Sequence, residues 1–172
     1  MAERKVLCAS TAGPRGIHDY VVAMQQSPLW TDWNVRFIAT HRVGNQAMKY
    51  VVFARAIVLF AAHLIHSRPH LVDLHTVGKT GSFSRNTILA SMCRLARVPV
   101  ILHVHASTFD VFYENSPRAV RSLIRATLKR VDAVIALDEN AAGKLRAIAP
   151  DARIVVVPDI TRLDALYSEV SR

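Results

Sequence analysis

Hydrophobic residues along this chain fall into two alternating rhythms. Short, nearly unbroken apolar runs at Lys5–Ala9, Val35–Ala39, Leu71–His75, Val98–His105, Ala133–Leu137 and Arg153–Val157 read as strands. Between them lie segments with apolar positions three and four apart, near His18–Gln26, Asn45–His66, Ser84–Ala96, Ser116–Val131 and Glu139–Ile148, which read as helices. In the longest of these, Asn45–His66, the apolar positions are Val51, Val52, Ile57, Val58, Ala61, Leu64 and Ile65. Strands with no polar alternation need both faces covered. Their alternation with helices predicts a Rossmann-like α/β domain, a parallel sheet with helices on its two sides. No repeat or low-complexity segment interrupts the pattern, so residues 1–160 are expected to form one domain and 161–172 a tail.

In such folds ligands bind beyond the carboxyl ends of the strands. That rule singles out the loops Ser10–Gly16, His75–Arg85, His105–Tyr113 and Asp138–Asn140. Gly13 and Gly16 let backbone approach a ligand closely at a helix start, although a plain tight turn reads equally well. Their spacing is not the dinucleotide fingerprint, and the second strand closes on Thr40-His41 without an acid. Gly78-Lys79-Thr80 lacks the earlier glycine of a phosphate loop, because position 73 is Asp. Lys79, Ser82, Ser84 and Arg85 still gather where a helix begins, as an anion site or as a solvated capping loop.

The run VILHVH is core-like yet carries His103 and His105 on one face by period two. His103 reads as a hydrogen-bonded core residue. His105 stands at the ligand edge. His63 and His66 lack the intervening Glu and the third ligand of a metal site, so no metal centre is expected. No serine nucleophile elbow, paired-carboxylate signature or C-x-x-C motif occurs.

Charge narrows the partners. A net +9 over 172 residues favours an anionic ligand or surface. Arg121, Arg125 and Lys129 form a basic stripe opposite Val120, Ile124, Leu128 and Val131, fit either for anionic lipid or for water. No nucleic-acid-binding module accompanies the charge. Cys8 and Cys93 lie in apolar runs and read as free buried thiols. The N-terminus has no long apolar signal region. Tyr50–Ile65, interrupted by Arg55 and His63, is short for a bilayer span of about 20 residues, so a cytoplasmic protein is expected.

The stretches VDLHTVGKTGSFSRN, VPVILHVHASTFDVFYE, VDAVIALDENAAGKL and RIVVVPDI, in this order, resemble the N-terminal domain of family 4 glycosyltransferases. The likeness is to those that build bacterial exopolysaccharide and capsule, and it is densest from Leu71 to Asp159. The resemblance implies half of a GT-B enzyme. This half would bind the acceptor, and a second Rossmann-like domain, in cis or in trans, would bind the nucleotide sugar. Transfer would retain configuration with no metal or other cofactor. Position by position it implies that His105 contacts the transferred sugar and that Gly13 and Gly16 meet the donor phosphates. His75, Ser82, Arg85 and Phe109 would form the acceptor side. A lipid-linked acceptor would place the protein peripherally on the inner face of the cytoplasmic membrane. The family's H-G is His105-Ala106 here, and the chain ends at Arg172 before any donor-domain motif. A non-catalytic module for a phosphorylated or lipid-linked ligand is the competing expectation.

Overall fold

The computed structural model describes residues 4–12 and 17–158. Gly13, Gly16 and Asp159 lie outside the described residues, so their expected roles are not addressed by it. Among the described residues six strands form one all-parallel sheet in the order β2-β1-β3-β4-β5-β6. They are β1 (Val6–Ala12), β2 (Val35–Arg42), β3 (Leu71–Thr76), β4 (Val100–Val104), β5 (Ala133–Ala136) and β6 (Ile154–Val156). This is the Rossmann-like α/β architecture that the alternating rhythm predicts.

Helices α1 (Ile17–Gln25) and α2 (Pro28–Asp32) link β1 to β2, and α3 (Gln46–Ala62) returns the chain to β3. Helix α4 (Thr80–Ala96) leads to β4, α5 (Phe109–Glu114) and α6 (Arg118–Arg130) to β5, and α7 (Glu139–Ile148) to β6. Right-handed crossovers put α1 on one face of the sheet and α3, α4, α6 and α7 on the other. The apolar packing divides the same way. Phe60, Phe83, Leu89, Ile124, Leu128 and Leu145 belong to one core cluster, while Ile17, Tyr20 and Val21 form a separate one.

Strand and helix ends depart from the sequence reading for identifiable reasons. Strand β1 runs on through Ser10 and Thr11, expected in a loop, because β2 keeps pairing with it. The register shifts at Ser10/Thr11, and the extra residue Thr40 donates its hydroxyl to Ser10 O at 3.1 Å. Helix α4 begins at Thr80, four residues before Ser84, since a first turn tolerates Gly81 and is anchored by buried Phe83. Helix α5 replaces an expected loop: Phe109, Phe112 and Tyr113 sit at helical spacing.

Helix α3 is long and then widens into a π-helical turn, His63–Ser67, ended by Arg68 with φ 44° and by Pro69. Its buried residues are Ala56 and Phe60, followed by Leu64 in the π turn. This stripe at spacing four seats the helix on β2. Val51, Val58 and Ile65, read from the sequence simply as apolar positions, point to solvent.

Candidate functional site

Chain order reverses at β1: the chain moves outward to β2 and then back across β1 to β3. Such a switch point opens a crevice at the carboxyl ends of β1 and β3. A cavity of about 570 Å³ lies there, walled by Thr11, His41, Lys49, His75, Lys79 and Arg85 among others. Three of the residues singled out from the sequence for the acceptor side, His75, Ser82 and Arg85, line it together.

Parallel register sets His75 of β3 directly beside His103 of β4, and Asp73 lies two residues back on the same face. His105 follows just after β4, its backbone N–H donating to Thr76 O at 2.9 Å. The side chains form one chain of hydrogen bonds. His75 Nε2 lies 3.1 Å from Asp73 Oδ2, and His75 Nδ1 lies 2.8 Å from His105 Nε2. The rings of His75 and His105 stack with centroids 5.1 Å apart. Tyr20 of α1 covers all three imidazoles, with centroids 5.0 to 5.8 Å away.

Electrostatics set the charge at the two ends of this chain. Burial alone raises the Asp73 carboxyl, but the charges of His75 and His103, the hydrogen bond from His75 and the more distant His105 hold it well below the usual range. Asp73 is therefore a carboxylate, and His75 donates to it from Nε2. Burial, with His75 and His103 nearby, lowers His105 to about 3, so it is a neutral imidazole at neutral pH. Where Nε2 carries the one ring proton of His75, its Nδ1 accepts from His105 Nε2–H. In that tautomer His105 Nδ1 is a hydrogen-bond acceptor. His105 is not itself a wall of the cavity; it reaches it through His75.

The three imidazoles also place one nitrogen each within 4.8 Å of one another. Asp73 behind His75 is the kind of carboxylate that orients a metal-bound imidazole. The set can take a transition metal, although hydrogen bonds already account for the positions of His75 and His105. Cys8, Asp73 and His75 cluster as closely. Burial and the Asp73 charge raise the Cys8 thiol, which makes it a poor ligand near neutral pH. Cys93 is likewise pushed up by burial, to about 12; both cysteines are free and buried.

On the other cavity wall, Asn86 of α4 donates to His75 O at 2.8 Å and ties the helix to the strand end. Lys79 precedes α4 without a side-chain cap, and Gly81 and Ser82 of the first turn line the cavity. The Ser82 hydroxyl turns back onto its own loop, 3.3 Å from Thr76 Oγ1 and accepting from Val77 N at 3.4 Å. Arg85 is half-buried, and its Nε is enclosed with no hydrogen-bond partner. Burial, followed by the charges of Arg85 and Lys49, lowers the nearby His41. This wall is cationic.

Phe109, expected at the acceptor, is placed in the core instead. It is 2 % exposed and packs on Phe83 and Phe112, with centroids 5.8 and 5.5 Å away. Its apolar ring serves to anchor α5. Gly78, which suggested a phosphate loop, is explained by packing: a Cβ there would meet Phe112 Cβ at 3.2 Å. Asp73, Tyr20, His41 and Lys49 were not singled out as site residues by the sequence. For Asp73 a signal existed, its period-two spacing from His75. For the others the sheet order was needed.

The family model for a glycosyl transferase 4-like domain matches residues 5–159. No curated protein matches the chain.

Proposed function

The chain belongs to the glycosyl transferase 4-like family, and from that membership we propose that it is the acceptor-binding half of a retaining glycosyltransferase. Its partner is a donor-binding domain, in cis or in trans, that delivers a nucleotide sugar. The acceptor is a growing glycan carried on a lipid phosphate, as in polysaccharide synthesis on the inner face of a cytoplasmic membrane.

One observation carries this reading: the hydrogen-bonded chain Asp73–His75–His105 beside a cationic cavity. Asp73 fixes the tautomer of His75, and His75 fixes that of His105. Neutral His105 then offers Nδ1 to a hydroxyl of the sugar being transferred. Holding that hydroxyl in a preset direction favours the transition state without any proton having to leave the cluster. Lys79, Arg85 and the uncapped start of α4 suit the phosphate of the acceptor carrier. No metal is needed for these steps, so transfer should survive a chelator. Loss of activity that zinc restores would assign the three histidines to a metal instead.

The direct test joins the chain to a donor-binding domain and replaces His105 by Ala. We expect kcat to fall roughly a hundredfold or more with acceptor binding little changed. Transfer within a few-fold of the parent would sink the role of His105. Acceptor binding without transfer by the parent fusion, with any nucleotide sugar, would make the domain a binding module only.

A further inference from the structure

Among the described residues one helix, Gln46–Ser67, is long and apolar enough to cross a membrane, yet only 17 % of it is buried. Ala56, Phe60 and Leu64 hold it on the sheet. Its opposite side carries Val51, Val58 and Ile65 at spacing seven, 63 %, 67 % and 66 % exposed, with Tyr50, Leu59 and Met48 beside them. Spacing seven on a helix keeps side chains on one line. The result is a continuous apolar ridge facing away from the protein, and no described element covers it.

The stretch that carries this ridge has charges of one sign. From Trp33 to Val72 the sequence has no Asp or Glu, while Arg36, Arg42, Lys49, Arg55 and Arg68 are present. A second copy of the chain docking here would bring cations against cations with no acid to pair them, which is repulsive. An anionic lipid surface supplies the missing charge, and its acyl boundary accepts the ridge.

We propose that α3 lies along an anionic phospholipid bilayer with Val51, Val58 and Ile65 inserted and Arg55 and Arg68 among the headgroups. Because Ala56, Phe60 and Leu64 are committed to the sheet, the helix lies in the interface and does not cross it. Gln46 and Lys49, at the start of the same helix, line the cavity at the strand ends. Docking would thus set the cavity mouth next to the membrane. The purpose, taking an acceptor from lipid, rests on the function proposed above; the docking does not.

The chain is incubated with phosphatidylcholine vesicles, with or without about a quarter phosphatidylglycerol, and sedimented. Binding should require the anionic lipid, weaken with salt as exposed charges are screened, and persist in part through the apolar contact. Val51→Glu/Val58→Glu should lower affinity about tenfold or more. Arg121→Glu/Arg125→Glu on α6 should change it less than about threefold. Thermal melting checks that each variant is folded, and Val58→Trp should show a blue-shifted emission on adding anionic vesicles. The proposal is overturned by absent binding, by undiminished binding of a folded Val51→Glu/Val58→Glu variant, or by an unshifted Val58→Trp spectrum. It is equally overturned if the ridge instead mediates a dimer that sedimentation detects without lipid and this variant abolishes. Transfer to a short-chain, water-soluble acceptor needs no vesicle, so that assay reports on the enzyme reading separately.

Discussion

Residues 33–109 and residues 110–158 handle charge in opposite ways. The later stretch holds Asp110, Glu114, Asp132, Asp138, Glu139 and Asp151, and it uses most of these acids locally. Lys129 pairs with Asp151 at 2.6 Å, Lys144 with Asp110 at 3.0 Å and Arg146 with Glu139 at 3.3 Å. Asp138 caps α7 by accepting from Ala141 N at 2.7 Å. The earlier stretch holds nine lysines and arginines, at 36, 42, 49, 55, 68, 79, 85, 94 and 97, and a single acid, Asp73. That acid is buried and spent on His75. None of the nine cations forms an ion pair among the described residues. The sheet is continuous across both stretches, so the contrast is not one of fold. One side spends its acids on its own cations and helix cap, with five arginines left unpaired among the described residues. The other has no acid to spare and keeps all its positive charge for something outside the chain.

Breaking the single carboxylate should therefore cost the most. In Asp73→Asn the amide can donate to His75 Nε2, which moves the His75 proton to Nδ1. His105 Nε2 must then accept, and the Nδ1 of His105 turns from acceptor to donor. We expect transfer by the chain joined to a donor domain to drop about ten- to a hundredfold. Stability should fall by about 1–3 kcal/mol, since one buried bond is exchanged for a weaker one. Imidazole ¹⁵N shifts should report the tautomer change. Unchanged shifts with unchanged activity would mean that the hydrogen-bonded chain is only structural.

Acid should expose the same asymmetry. His105 titrates near 6.5 when unfolded but is lowered to about 3 in the fold. Between those values the unfolded chain binds the extra proton, so stability declines as pH falls from about 6.5 towards 3. Asp73, depressed in the fold, acts in the same direction: its stabilising contribution is complete above about 4 and is lost as pH drops below it. Urea unfolding at pH 7, 5.5 and 4.5 should show this decline, and His105→Asn should flatten the part between 6.5 and 4.5. An equally steep curve in the variant would place the acid sensitivity elsewhere.

Much of this was legible in the sequence. Apolar runs gave the strands, because parallel strands buried on both faces cannot alternate. His75, Ser82 and Arg85 come together at the cavity because strand ends and helix starts are fixed by that pattern. What escaped needed three dimensions. Whether an apolar side chain on α3 faces sheet or solvent depends on which stripe meets β2, and Ala56-Phe60-Leu64 competes well with the larger Val51-Val58-Ile65 line. Phe109 was misplaced because an aromatic next to a sugar site and an aromatic anchoring a short helix look alike in one dimension. The Asp73–His105 link spans two strands, so spacing within either one could not reveal it.

Gly78 sits at the seam between the two stretches, where the β3–α4 loop meets α5. Gly78→Ala puts a Cβ 3.2 Å from Phe112 Cβ, and α5 must yield by a few tenths of an ångström. A loss of about 1 kcal/mol is expected, measured by urea unfolding. A stabilised variant would show that the loop has room and that α5 does not clamp it.

The smallest effect is expected where charges are already settled. Lys129 and Asp151 are both well exposed, and their contact is the shortest ion pair among the described residues. Exposed pairs gain little, because water and salt screen them and two side chains must be ordered. The contact lowers the Asp151 carboxyl through its hydrogen bond to Lys129, a direction that reports proximity and not stability. Lys129→Ala should leave Tm within about a degree of the parent and vesicle binding unchanged. A marked loss of vesicle binding would instead show that α6 shares the lipid contact, and the contrast between the two stretches would then be one of pairing alone, without a division of surfaces.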